Sequence, residues 1–291
     1  MMDFLSIGLR IVQFTAPTAF AAIGETIGQR TGVLNIGLEG TMLVSAFTAV
    51  VVSGSTGSVW AGLIVAVLVG LLLTLTQAYF TVVLASDQVV AGTAVNLFGL
   101  GLTSTLFDLG TNRGQNLSNV AGFPKLFELV DPVLISLPVL GCLAYRLLFR
   151  TEIGLAMRAA GEYPPAVESA GFSVVRLRLI GQTICGGFAG LAGAYLTLGI
   201  SHSFVQNMTT GRGFIAIALV TFGRWKPGWV LAASMLIGFL EWLQFAVQGK
   251  SMIPTQFFLA LPYLVALVVL VVVGKGTQQP QNLGVPFRRS E

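Results

Sequence analysis

The feature that most restricts this chain is a recurrence of long apolar stretches with almost no charge inside them. They run at about 4–24, 33–53, 60–84, 89–109, 130–149, 177–200, 214–222, 229–247 and 253–273. A soluble domain carries roughly 25% charged residues, because its surface must be solvated. Here 10% of the 291 residues are charged, 54% are hydrophobic and the mean hydropathy is +0.83. That little charge cannot cover a water-facing surface of the required size, so the missing surface faces lipid. Most stretches are long enough to cross ~30 Å of hydrocarbon at ~1.5 Å per residue. The pattern predicts an all-α, polytopic transmembrane bundle of about eight or nine helices. It forms a single domain, 1–274, followed by a polar tail, 275–291, whose sequence KGTQQPQNLGVPFRRSE reads as disordered.

One stretch does not fit a simple crossing. Residues 214–222, even extended back to Gly211, would span only about 20 Å. This segment is expected to be a short or discontinuous helix, buried against its neighbours or lining a water-filled path. The opening MMDFLSIGLR lacks a positive n-region, and the first stretch reads as a retained membrane helix.

The net charge of +4 and pI near 9.3 do not point to nucleic acid, because the basic residues stand singly between apolar runs. They instead orient the bundle. Placing the loop around Arg146, Arg150, Arg158, Arg176 and Arg178 inside, with Lys275, Arg288 and Arg289, also puts Arg30, Arg224 and Lys226 inside. Arg10, Arg113, Lys125, Arg212 and Lys250 remain outside. The bias predicts the N-terminus outside and the C-terminus in the cytoplasm.

Cys142 and Cys185 have neither metal-ligand nor disulfide spacing and read as small core residues. No metal cluster, Ser/His/Asp set or paired catalytic carboxylates can be assembled, so neither a catalytic role nor a cofactor is expected. His202, just past a helix end, reads as an outer-loop residue facing a partner. Gly186, Gly190 and Ala194 recur at four-residue spacing, which lets helix backbones approach closely in lipid.

Several polar residues lie in apolar surroundings. Asn35 and Glu39 stand four apart in 31–41, a spacing that would place both on one helical face. An ionisable side chain inside an apolar segment costs about 2.5–3.5 kcal/mol on insertion scales. Glu39 should therefore meet a cavity, a partner helix or a helix start near Arg30. Asn96, mid-segment, is suited either to a solute amide or to a neighbouring helix. Glu241 and Gln244 share a face beside Trp242. Asn35, Glu39, Asn96, Gly211 and Gly213 are the candidate translocation-path residues.

The loop TEIGLAMRAAGEYPPAVESAGFSVVRLR, 151–178, is too polar to cross and too patterned for a linker. Apolar residues at helical spacing precede Pro164 and Pro165, and a second short helix, 166–171, follows. Such a helix–turn–helix is either a docking element for a soluble partner or a connector held by lipid headgroups.

The run GLAMRAAGEYPPAVESAG fits G-x-x-M-R-A-x-G-E-x-P-x-A-x-x-x-A-G and resembles the cytoplasmic coupling loop of ABC-importer permeases for branched-chain amino acids, simple sugars and nucleosides. The resemblance continues in ETIGQRTGVLNIGLEGTMLVSAF (25–47), GRGFIAIALVTFGRWKPGW (211–229) and LPYL (261–264), in family order over most of the chain. NIGLEG with GRGFIAIAL is most similar to the nucleoside and purine branch. Gln29-Arg30-Thr31 departs from the pattern, since many relatives carry an acidic residue before the arginine. The resemblance implies a permease subunit that moves solute across the cytoplasmic membrane. Its expected partners are a separate ATP-hydrolysing ABC subunit, a second permease chain (like or unlike), an extracytoplasmic solute-binding protein and the lipid bilayer. It also implies that Gly154, Arg158, Ala159, Gly161, Glu162, Ala170 and Gly171, within the coupling loop 151–176, meet the ATPase. No G-x-x-x-x-G-K-[ST] loop occurs: Gly274-Lys275 lacks the earlier glycine. A secondary transporter or channel, which would need essential membrane carboxylates and no cytoplasmic partner, remains the alternative class.

Overall fold

The computed structural model describes residues 4–112, 117, 119–126, 130–247, 255–274 and 279–287. The chain runs α1 (Phe4–Arg30), α2 (Leu38–Thr56), α3 (Val59–Ala78), α4 (Gln88–Asn112), α5 (Pro132–Arg150), α6 (Glu152–Glu162), α7 (Pro164–Ser169), α8 (Val174–Ala194), α9 (Arg212–Phe222), α10 (Pro227–Val247) and α11 (Thr255–Gly274). Turns of π-helix, Tyr79–Val83 and Tyr195–Ser201, extend α3 and α8. Among the described residues, seven helices (α1–α5, α8 and α10) are long and apolar enough to cross a membrane, and the all-α bundle agrees with the sequence expectation. The basic residues Arg113, Lys250, Lys275, Arg288 and Arg289, used above to orient the chain, lie outside the described residues.

Burial separates an inner group from an outer one. In α2 and α8, 67% of the most apolar window is buried, against 17% in α4, whose exposed face is left for lipid or another chain. The close approach of α3 to α8 depends on missing side chains. A Cβ at Gly70 would lie 2.6 Å from the Gly186 carbonyl, and one at Gly190 would lie 2.7 Å from that of Ala66. The small-residue seam read on α8 thus meets a matching seam on α3.

Capping fixes the element ends. Asp131 Oδ1 accepts the Leu134 N–H at 2.8 Å at the start of α5, while its Oδ2 accepts the Tyr195 hydroxyl at 2.9 Å. Thr151 Oγ1 accepts the Gly154 N–H at 3.0 Å at the start of α6. Pro164 opens α7, where a missing N–H is harmless. The helix–turn–helix expected for 151–178 is therefore present.

Four expectations need correction. The helix expected over 31–41 does not begin until Leu38, so Asn35 lies in an irregular turn and shares no helical face with Glu39. Cys142 is exposed on α5, whereas Cys185 is buried. The His202 backbone is left-handed (φ 52°), its N–H donates to Thr197 O at 2.7 Å, and its ring fills the space beside Gly122 of its own chain. The fourth concerns the tail, whose composition predicts disorder. Residues 279–287 are ordered against the bundle, because their backbone and Asn282 find partners there.

Arg30, Phe149 and Arg158 bring α1, α5 and α6 together at one end of the bundle. The two guanidinium carbons lie 5.7 and 4.9 Å from the Phe149 ring centre. This is the α6–α7 end.

Candidate functional site

The irregular turn 31–37 runs back into the bundle after α1, and non-helical backbone at membrane depth must be paired internally. Side chains from three helices do this. Glu25 Oε1 accepts the Asn35 N–H at 3.1 Å and the Gln29 amide at 2.9 Å. Its Oε2 accepts the Cys185 thiol at 3.3 Å. Gln88 Oε1 accepts the Leu34 N–H at 2.8 Å, and the Gln182 amide donates to Val33 O at 3.3 Å. Asn96 spans the junction with α2: Oδ1 accepts the Gly40 N–H at 2.7 Å, and Nδ2 donates to Ile36 O at 2.9 Å. Both ends of the Asn96 amide are thus committed to backbone. Asn35 Nδ2 donates to Cys185 Sγ at 3.6 Å, while its buried Oδ1 has no partner among the described residues.

The second irregular stretch, 202–211, descends from the end of α8 to the start of α9. At 11 residues, α9 is about 16 Å long, roughly half a bilayer core. Its far end lies beside Arg30, whose Nε donates to Trp225 O at 3.0 Å, and the Trp225 indole donates to Gln29 Oε1 at 2.7 Å. The N-terminus of α9 therefore sits about halfway along the bundle. There Glu39 meets it: Oε1 accepts the Gly211 N–H at 2.7 Å, and Oε2 accepts the Gly213 N–H at 2.6 Å. These N–H groups have no partner within the helix, and a carboxylate complements the positive helix end. Glu39 stands in the first turn of α2, a helix start as one sequence reading has it, but its carboxylate bonds the backbone of Gly211 and Gly213, 172 and 174 residues away, rather than local donors and Arg30.

Both glycines are required by geometry. Gly211 has φ 85°, and a Cβ on Gly213 would lie 2.6 Å from Glu39 Cα. Between them, Arg212 pairs bidentately with Glu241 of α10, at 3.2 Å (Nε–Oε1) and 3.3 Å (Nη2–Oε2). The Tyr263 hydroxyl of α11 donates to Thr210 O. Three helices thus converge on the start of α9. Of the sequence candidates, the structure brings Glu39, Gly211 and Gly213 together and leaves Asn35 and Asn96 in the neighbouring turn.

At the α6–α7 end, the loop residues divide into three groups, with Ala159 half-buried against the core. Gly154 packs against Leu147 O and Gly161 against Arg30 O, both facing inward with no space for a side chain. Arg158 stacks on Phe149, and Glu162 binds the ordered tail. Ala170 and Gly171 are exposed, beside exposed Leu155, Tyr163 and Phe172. Sequence reasoning misses Glu25, because it lies just past the apolar stretch 4–24 and reads as the start of a polar connection. The same reasoning misses the docking of the tail, which no local pattern signals. No group of metal-ligating side chains occurs among the described residues.

A half-length helix is thus capped at mid-bundle beside a polar turn, with a two-helix loop at the far end of the bundle. The chain belongs to the family described as the branched-chain amino acid transport system permease component, whose model matches residues 8–274. It is therefore a multi-pass membrane permease subunit of an ABC importer, a class that works with an ATPase and a solute-binding protein. It is 37% identical over 259 residues to the putative glucose ABC transporter permease TsgC13 of Haloferax volcanii, covering 83% of this chain and 77% of that one. It is 31% identical over 303 residues to the guanosine ABC transporter permease NupQ of Bacillus subtilis, covering 94% and 93%. It is 30% identical over 306 residues to the nucleoside ABC transporter permease NupC of Lactococcus lactis subsp. cremoris, covering 96% and 95%. No solved structure matches the chain significantly.

Proposed function

We propose that this permease carries nucleosides, as one of a pair of like or unlike permease chains. The observation that carries the substrate reading is the nearly end-to-end alignment with relatives named for guanosine and nucleoside transport. The higher identity to a chain named for glucose supports a second reading, simple-sugar import, over a shorter alignment. In the proposed mechanism, solute passes beside the start of α9. Glu39, Gly211 and Gly213 form the element whose movement opens and closes the path, with Asn35 and Asn96 holding the wall next to it.

The ATPase meets the exposed surface of α6–α7 at Ala170 and Gly171, extended by Tyr163 and Phe172, with the half-buried Ala159 at its edge. Gly154 and Gly161 act from behind by seating α6 on α5 and α1, while Arg158 and Glu162 relay its position. The clustering of Arg30, Arg150, Arg158 and Arg224 at the α6–α7 end supports a cytoplasmic location for that end, with the N-terminus outside.

Uptake of labelled guanosine, in strains with and without the chain, tests the substrate reading. Deletion is expected to abolish uptake, and excess unlabelled glucose or leucine is expected to leave uptake by the intact strain unchanged. Unchanged guanosine uptake after deletion, with loss of glucose uptake, would replace the nucleoside reading with the sugar reading.

A further inference from the structure

We infer that residues 279–287 form a strap that ties α6 to the 31–37 turn, with Asn282 and Arg178 as its positioning residues, and that transport requires the strap to be docked. The inference rests on the reading of α6–α7 as the contact with the ATPase.

The strap takes up the carbonyls that the end of α6 leaves unpaired. The Asn282 N–H donates to Gly161 O at 2.8 Å, and its side-chain amide donates to Glu162 O at 2.7 Å. The Gln281 N–H donates to Glu162 Oε2 at 3.2 Å. Two residues beyond Asn282, the Gly284 N–H donates to Gly32 O in the turn after α1, at 3.1 Å. Gly284 has φ 81°, a conformation that lets the strap turn between these two anchors. Gly161 also packs directly on the end of α1, but that contact resists only compression. The strap adds directional bonds on both sides of it, so a pull on α6 is also transmitted.

Arg178 gives an independent reason to regard the strap as built. It is 1% exposed, at the start of α8. Its Nη1 donates to Val285 O at 3.0 Å, and the Phe287 ring centre lies 6.0 Å from its guanidinium carbon. Nε and Nη2 have no partner among the described residues. A buried charge is costly unless it is paired and hydrogen-bonded, so the strap supplies what the Arg178 site otherwise lacks. The turn it grips runs directly into Glu39, the cap of α9. A continuous path of bonds therefore runs from α6 through the strap and the 31–37 turn to the mid-bundle end of α9.

The test uses the full importer, with its ATPase and binding protein, in proteoliposomes. Asn282→Ala removes one anchor, and the expected result is a fall of about fivefold in solute moved per ATP hydrolysed, the scale of one lost hydrogen bond. Complex yield and ATP hydrolysis are expected to persist. A chain ending at Lys275 is expected to show a larger loss of the same ratio. In a background lacking the exposed Cys142 and keeping the buried Cys185, Gln281→Cys with Glu162→Cys allows the strap to be tethered. Uptake that is equal in the oxidised and reduced forms would support a docked strap. An unchanged ratio in both Asn282→Ala and the shortened chain would overturn the inference. So would uptake abolished by tethering and restored by reductant, or an equal loss of assembly, hydrolysis and uptake, which would make the segment a folding element. Failure of the underlying docking reading is seen separately, as normal ATPase assembly on a permease bearing Ala170→Glu and Gly171→Glu.

Discussion

The two irregular stretches that interrupt this bundle are supported in different ways. The 31–37 turn is held by side chains from α1, α4 and α8, and its left-handed backbone is confined to Gly32. The 202–211 stretch has left-handed φ at His202, Asn207, Thr210 and Gly211, three of which are not glycine. Such conformations are uncommon for residues with a Cβ, and most of all for a β-branched one such as Thr210. It is also less buried, with Val205 60% exposed, and it ends in charge-bearing contacts: Glu39 on the α9 N-terminus and Arg212 on Glu241. The first stretch is therefore a fixed wall. The second is strained: backbone bonds to Leu117 and Val120 and the buried Phe204 hold its upper end, and a few charge-bearing bonds hold its lower end, where a two-position element can act.

Glu39 gives the largest expected effect. Each hydrogen bond to a charged group contributes about 1.5–3 kcal/mol, so Glu39→Ala is expected to lower solute turnover by at least about a hundredfold. Glu39→Gln keeps one acceptor and is expected to fall between that variant and the natural chain. The readout is the initial rate of uptake at saturating solute, alongside the amount of assembled complex. Turnover that survives Glu39→Ala would collapse the distinction between a held wall and a capped, movable end.

The sequence carried the bundle and its main interruption, because apolar length and a too-short segment are local properties. It carried the helix–turn–helix for the same reason: Thr151, Pro164 and Pro165 set its ends through their own backbone chemistry. Glu39, Gly211 and Gly213 were each singled out, but their meeting was not legible, since it joins residues 172 and 174 positions apart. The four-residue spacing of Asn35 and Glu39 does not put them on one helix, because the chain turns at Gly32 and Gly37 before α2 begins. The docked strap was hidden for another reason. Polar, proline-containing sequence has the composition of a disordered tail, and only the buried Arg178 and the open carbonyls of α6 give it a place.

Asn96 sharpens the comparison from the other side. Asn96→Ala leaves Gly40 N–H and Ile36 O without their partners, a loss of about 2 kcal/mol for two uncharged bonds. The expected consequence is a lower apparent melting temperature of the solubilised complex, with turnover per intact complex changed much less than by Glu39→Ala. If Asn96→Ala instead raised the solute concentration needed for half-maximal uptake and left melting unchanged, Asn96 would be facing solute and the turn would be more than a wall.

The smallest effect is expected at the upper end of the strained stretch. The Gln206 amide donates to Asp108 Oδ1 at 2.7 Å, but both residues are exposed, Asp108 on the sparsely buried α4. Exposed pairs of this kind contribute little, and Asp108→Asn retains an acceptor, so stability is expected to change by less than about 0.5 kcal/mol. Melting and uptake of this variant, measured beside Glu39→Ala, would show where the 202–211 stretch is held. An effect at Asp108 comparable to that at Glu39 would mean that the exposed Gln206 contact holds the stretch as strongly as the α9 cap does. Near-silence at Asp108 would leave the backbone bonds to Leu117 and Val120 at the upper end, and Tyr263, Glu39 and the Arg212–Glu241 pair at the lower end, as its attachments.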